Sequence, residues 1–269
     1  MPKASPQPSN VLSTNKQFLE TALRAANAAD EVSHAGFNSR MFTVSRKADN
    51  SEVTEIDRNT ETAISSVLRE ACPEFGIYGE EHGTSGPTDA KYVWVIDPID
   101  GTTNFVRGVP VWGSLIALVH NETPVLGVVS APALGMRWWA SVGDGAYFNG
   151  TRIYVSTVSE LSDAHVSTTP NTGWEKVGGL PALQQLQVDA LRSRGFGDFW
   201  QHMLVAQGAI DVAIDAIGLA PYDNAAIYPI VQEAGGTITD RNGNSDWRAN
   251  SLVSSNGLLH STVIDRLPS

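Results

Sequence analysis

Two aspartates three positions apart, Asp97 and Asp100, close an apolar run: Trp94-Val95-Ile96-Asp97-Pro98-Ile99-Asp100-Gly101-Thr102-Thr103-Asn104-Phe105. A strand of this kind delivers two carboxylates, a backbone carbonyl and a hydroxyl into a tight turn. Hard divalent cations take oxygen ligands, and Mg²⁺ is held by one or two carboxylates beside substrate phosphate. Pro98 stiffens the chain between the acids, and Gly101 permits close backbone approach. Asp-Pro and Asp-Gly steps are also ordinary turn chemistry. The string therefore needs acids elsewhere to support it.

Three further groups of acids do so. Asp57 follows Lys47-Ala48-Asp49 and Glu55-Ile56, just ahead of a helical pattern. Glu80 and Glu81 lie in the glycine-flanked run Gly79-Glu80-Glu81-His82-Gly83, and Asp223 sits in Pro221-Tyr222-Asp223-Asn224-Ala225-Ala226, where a later helix opens. Each has a structural reading: Asp57 as a carboxylate favoured by the helix dipole, the glutamates as solvated loop acids, Asp223 as a cap. As a set, in this order and spacing, they point to a metal site.

The elements that must position these acids follow from periodicity. Helices are predicted over 15–34, with Phe18, Leu19, Ala22, Leu23, Ala26 and Ala29 on one face, and over 57–71, ended by Pro73. Strands are predicted over 76–78, 92–96, 114–119, 125–130 and 137–141. Asn149-Gly150 between 146–148 and 152–155 is a hairpin signal. Helices return over 182–191, 198–207 and 224–234, with strands at 212–214, 237–239 and 252–254. Residues 1–12, polar and Pro/Ser-rich with no apolar core, read as a disordered lead-in. This mixture implies layered α/β or α+β packing.

The chain has 269 residues, room for one large domain or two fused halves. Its 42% hydrophobic and 17% charged content is that of a soluble globular protein. A net charge of −11 argues against nucleic-acid binding, which needs a basic stripe. It would also repel a phosphorylated substrate unless bound cations reverse the sign locally. Cys72 is the only cysteine, so an internal disulfide is excluded, and its place before Pro73 reads as core. No stretch has the apolar length to span a bilayer, so a cytoplasmic protein without a membrane partner is expected.

Together these motifs resemble the inositol monophosphatase superfamily of Mg²⁺-dependent, lithium-sensitive phosphomonoesterases. That pattern has a Lys and an Asp before the second helix, a G-E-E loop, D-P-I-D-G-T and a late W-D-x-A. It covers residues 13 to 267. The resemblance implies an α/β (α+β) fold, a five-layer αβαβα sandwich. It would form one catalytic unit over 13–269, with packed halves of about 13–150 and 151–269 and the site between them. Glu80, Asp97 and the Ile99 carbonyl would bind the tightest metal, and Asp97, Asp100 and Asp223 the second. Glu80 and, through water, Asp57 would help hold a third. Two to three Mg²⁺ ions are implied, with Mn²⁺ as a substitute, Li⁺ as an inhibitor and a homodimer as the assembly. Thr102 and Glu80 would orient the attacking water, Gly101 and Thr102 would offer N–H groups to phosphate, and Lys47 would lie near it. Phosphomonoester hydrolysis is among the slowest uncatalysed reactions, and paired metals with electrostatic positioning suit direct attack by water.

Within the superfamily, the stretches from Asn104 to Trp112 and from Ser130 to Ala140 are similar to the actinobacterial-type histidinol-phosphate phosphatases. So is Arg194-Gly195-Phe196-Gly197-Asp198-Phe199-Trp200. The resemblance implies hydrolysis of L-histidinol phosphate in histidine biosynthesis, with Arg194, Gly197, Asp198, Asp215 and Asp100 toward the substrate. Asp198 could equally be a helix cap. As a substrate residue it would meet the amino or imidazolium group. Two positions depart from the family pattern: Tyr222 replaces the tryptophan of W-D, and Ala216 stands where a substrate-contacting glutamate is common, beside Asp215. The rival readings are an inositol-1-phosphate or other polyol-phosphate phosphatase, a nucleotide-type 3′-phosphatase lacking the expected basic residues, and a catalytically silent phosphate-ester sensor or scaffold.

Overall fold

The computed structural model describes residues 8–47 and 50–268. The helices are α1 (Pro8–Ser39), α2 (Glu55–Ala71), α3 (Thr102–Arg107), α4 (Thr172–Lys176), α5 (Leu180–Asp189), α6 (Asp198–Ala206), α7 (Pro221–Asn224), α8 (Ile227–Glu233) and α9 (His260–Ile264). A short antiparallel pair, β1 (Val44–Arg46) and β2 (Glu52–Thr54), precedes α2. The large sheet contains β3 (Gly76–Gly79), β4 (Gly83–Ser85), β5 (Tyr92–Asp100), β6 (Gly113–His120), β7 (Thr123–Ala131), β8 (Met136–Ser141), β9 (Gly145–Phe148) and β10 (Thr151–Arg152). Its order is β10-β9-β8-β7-β6-β5-β3-β4. The small sheet, of order β12-β11-β13-β15-β14, contains β11 (His165–Thr168), β12 (Arg192–Arg194), β13 (Val212–Ile214), β14 (Thr237–Thr239) and β15 (Val253–Ser255).

Strand alternation makes the layers. Trp94, Ile96, Ile116 and Val128 on one face of the large sheet pack against Ala22, Ala26, Ile64 and Leu68 of α1 and α2. Val95, Leu115, Val129 and Trp138 on the other face meet Phe199 and Met203 of α6 and Ile227 and Ile230 of α8. The small sheet backs α6, and its far face, with Val166, Val212 and Val253, is covered by Trp174, Leu183, Leu186 and Val263. The result is the expected five-layer αβαβα sandwich. Trp138 is fully buried, and its indole N–H donates to Gln207 at 2.9 Å.

Several expectations change in detail. The first helix begins at Pro8, inside the stretch read as a lead-in, because Pro is well suited to a helix's first turn. Residues 1–7 of that lead-in, like Ala48 and Asp49, lie outside the described residues. The Asn149-Gly150 hairpin forms with φ of 46° and 84°, as a type I′ turn requires. Its second strand stops at Arg152, because Val155 N–H donates instead to Ala234 O. The helix expected over 224–234 is two helices, with Ala225 and Ala226 between them. There the chain presses onto β7: a Cβ on Gly127 would lie 2.1 Å from the Ala226 carbonyl oxygen, so only glycine admits this approach.

Candidate metal centre and substrate cleft

A regular strand would send Asp97 and Asp100 to opposite faces, because their spacing is odd. The β5–β6 register prevents this. Asp97 faces Leu115 and Asp100 faces Gly113, so three steps on β5 match two on β6. This bulge falls on Pro98, which has no N–H to give to a ladder. The Ser114 hydroxyl donates to Pro98 O at 2.7 Å, and Ile99 N–H to Asp97 Oδ1 at 3.0 Å, which hold it in place. Both aspartates thus turn toward α7, whose Asp223 completes a cluster with ligand oxygens all within 4.8 Å of one another.

Few donors face these carboxyls. Asp223 Oδ2 accepts from Ala220 N–H at 2.7 Å, so its capping role at the third position of α7 leaves Oδ1 toward the cluster. Asp100 Oδ2 accepts from Phe199 N–H at 2.7 Å. Burial and then the charges of Glu80, Asp100 and Asp223 hold Asp97 well above the usual carboxylate range. Burial and then Asp198 and Asp223 do the same to Asp100. Burial pushes Asp223 up to about 7. Three carboxylate donors, one buried and two partly buried, with mutually unfavourable charge are a donor set that fits a hard divalent cation.

Glu80 enters from the loop after β3. Its carboxyl shares a hydrogen bond with Asp97 and accepts from Lys47 Nζ at 2.7 Å; Lys47 also meets Glu81 at 2.5 Å. Burial alone would lower the Lys47 pKa, but these hydrogen bonds and charges hold it above the ordinary lysine value. Asp57 divides its two oxygens. Oδ2 caps α2 through Thr54 N–H and hydroxyl at 2.8 and 2.6 Å, while Oδ1 faces the Thr102 hydroxyl at 3.0 Å. That hydroxyl is also 3.0 Å from Ile99 O. Gly101 has φ 82°, and the space above it is filled by Val111 O and Asp198 Oδ2. Tyr222 walls the cluster against Tyr78, with ring centroids 6.0 Å apart. Burial and then Glu80 and Asp223 raise its phenol pKa.

Asp198 does not cap α6. Gly197 holds the cap position, and the Asp198 carboxylate accepts from Asn104 Nδ2 at 2.9 Å. Asp198 has φ 48°, a left-handed conformation unusual for a residue other than glycine. Burial, then the nearby Asp215 charge, push its pKa up to about 6. Asp215 is bonded on both oxygens: Oδ1 accepts from Thr169 Oγ1 at 2.8 Å and Ala216 N–H at 2.7 Å, and Oδ2 meets His202 Nε2 at 3.1 Å. His202 Nδ1 in turn contacts Ser254 Oγ at 2.8 Å. The Arg194 guanidinium donates to Ser193 O and lines a separate cavity of about 140 Å³ with Arg192, Phe196 and Ile210. The structure therefore brings together Glu80, Asp97, Asp100, Thr102, Asp57, Asp223 and Lys47, sets Gly197 and Asp198 beside them, and leaves Arg194 at the sheet edge. Asn104 lay inside a stretch singled out in the sequence but without a role, and His202 had no signal, because their partners are 94 and 13 residues away.

Residues 14–268 match the model of the inositol monophosphatase family. The chain belongs to that family. It is 41% identical over 254 residues to a histidinol-phosphatase of Mycobacterium tuberculosis, covering 93% of this chain and 97% of the relative. It is equally similar, 41% over 251 residues, to a histidinol-phosphatase of Streptomyces coelicolor, covering 90% and 93%. Among solved structures, the extragenic suppressor protein suhB of Bartonella henselae superposes with a TM-score of 0.87 at 29% identity, covering 93% of this chain and 97% of that one. Among the described residues no helix is long and apolar enough to cross a membrane.

Proposed function

We propose that this family member hydrolyses L-histidinol phosphate to L-histidinol and inorganic phosphate. The observation that carries the reading is Asp198, a carboxylate beside the metal cluster with one oxygen left without a hydrogen bond among the described residues. A neutral polyol can offer that carboxylate only hydroxyl donors, whereas a protonated amine or imidazole also neutralises its charge. The 41% identity to histidinol-phosphatases supports the same substrate.

Glu80, Asp97, Asp100, Asp223 and the Ile99 carbonyl would hold two to three Mg²⁺ ions, with Asp57 assisting. When bound, the metal would neutralise phosphate charge and lower the pKa of water. The chain's own residues do the rest. The Thr102 hydroxyl directs its proton to Asp57 or to Ile99 O, both at 3.0 Å, which leaves its lone pairs to accept a hydrogen bond from one O–H of the attacking water and so orient it. Glu80 is the acceptor for the second water proton, with Lys47 fixing its orientation. Gly101 and Thr102 open α3, where backbone N–H groups lack helical partners and suit phosphate oxygens. Water attacks phosphorus as it gives one proton to Glu80, the ester P–O bond breaks, and the departing histidinol oxygen takes up a proton from solvent water.

Mn²⁺ in place of Mg²⁺, inhibition by Li⁺, a homodimer and a cytoplasmic location belong to the same proposal. The test is phosphate release with Mg²⁺ on L-histidinol phosphate and inositol 1-phosphate side by side. A large preference for histidinol phosphate is expected. Preference for inositol phosphate would overturn the substrate, and no release from either would overturn the activity.

A further inference from the structure

The first turn of α3 and the first turn of α6 come from different halves of the chain and interlock at one side-chain amide. Asn104 Nδ2 carries two hydrogens. One goes to Val111 O at 2.9 Å and the other to Asp198 Oδ2 at 2.9 Å. The Val111 carbonyl fixes which way the amide points, since the amide oxygen facing another carbonyl oxygen would be repelled. The amide can therefore only donate to Asp198, and it does so to one oxygen alone. A second bond crosses the same junction, from Phe199 N–H to Asp100 Oδ2 at 2.7 Å. The residue that would read the substrate and a residue of the metal cluster are thus tied through adjacent backbone positions. Asp198 also needs external support, because a left-handed φ of 48° is costly for a residue with a side chain.

We propose that Asn104 is a positioning residue that sets substrate preference, clamping one oxygen of Asp198 so that the other faces the cationic group of the ester. The proposal rests on the histidinol-phosphate reading above. Asn104 has no role in hydrolysis itself; it acts through Asp198. Without the clamp the Asp198 carboxylate is free to rotate, and the charge-assisted contact to the cation loses its fixed geometry.

The test compares kcat and KM on L-histidinol phosphate and on the neutral inositol 1-phosphate for wild type, Asn104→Ala, Asp198→Asn and the double variant. Asn104→Ser, which keeps one donor, serves if the alanine variant does not fold. Wild-type preference for histidinol phosphate must be present first; its absence would overturn the substrate reading. Given that preference, the Asn104 variant is expected to reduce it about tenfold or more, mostly through KM for histidinol phosphate. In the Asp198→Asn background the same change is expected to leave the ratio where it already stands, the mark of two residues acting as one unit. An unchanged ratio in the single variant would overturn the proposal. So would an equal loss on both esters, which is what a merely structural asparagine gives.

Discussion

Asp97 and Asp215 are both buried aspartates near one cleft, and their surroundings are opposite. Asp97 receives a single backbone N–H from Ile99 and faces three other carboxyl groups, which with burial hold its pKa high. Asp215 is equally cut off from water, yet His202, through a hydrogen bond and charge, together with Thr169 and the Ala216 N–H overcomes burial and holds its pKa low. The difference separates two jobs. An acid that is fully hydrogen-bonded is part of the frame, and its charge acts only at a distance. An acid kept short of donors among its own kind is set to receive a cation from outside.

The largest effect is expected at the donor-poor end. Asp97→Asn should lower turnover by at least about 10²-fold while the metal-free protein melts no lower than wild type, since one of several repelling carboxyls is gone. Calorimetric titration with Mg²⁺ should show weakened binding in that variant. Wild-type rates in a folded Asp97→Asn protein would break the comparison at once. Next, Asp198→Asn should cut the preference for histidinol phosphate over inositol 1-phosphate by about 10- to 100-fold, and equal losses on both would make Asp198 ordinary scaffold.

At the donor-rich end the effect should be on stability. Asp215→Asn turns an acceptor into a donor against His202 or against Thr169 and Ala216, and should cost about 2–4 kcal/mol in urea unfolding. A loss of activity without loss of stability would mean that Asp215 touches substrate after all. The smallest effect applies the same contrast to a base. His260 lies between the Thr239 and Ser255 hydroxyls, and burial pushes its pKa down to about 4 from 6.5. Between these values the unfolded chain binds a proton that the folded chain refuses, so stability is full above pH 6.5 and falls as pH drops toward 4. About 1–2 kcal/mol should be lost between pH 7 and pH 5. His260→Gln should flatten that slope, and an unaltered slope would show that His260 is not its source.

The two ends were also unequally legible. The metal end is written contiguously, because Asp97, Pro98, Ile99, Asp100, Gly101 and Thr102 form one turn, and Glu80, Asp57 and Asp223 sit at element boundaries that periodicity locates. The bulge that makes the turn work is invisible until β5 is paired with β6. The substrate end carries a local pattern only over Arg194–Trp200, which names residues without saying what they face. Asp198 read as a possible cap because an acid at a helix start usually is one. Only the fold shows that Gly197 takes that place and Asn104 takes the carboxylate. Arg194 shared a motif with Asp198 but lies on β12, the edge strand of the small sheet, whose side chains were not predictable without the sheet order. Short elements such as β11, β12, α3 and α9 were missed because three to six residues carry little periodicity, and unlike β13 and β14 these carry polar or charged residues in place of a β-branched run.

The extra residue at Pro98 gives the run from Asp97 to Asp100 a parity. Many side chains at 98 or 99 would leave the count intact, and the two carboxyls would still emerge together. One further residue in β6 opposite this stretch would match three steps with three, restore regular alternation and turn one aspartate toward the layer of Ile64 and Leu68, where no partner for it exists among the described residues of that cluster. The segment is therefore tolerant in spelling, while the pairing is intolerant of a change in count, and a β6 lengthened by one residue would fail through arithmetic before chemistry was tested.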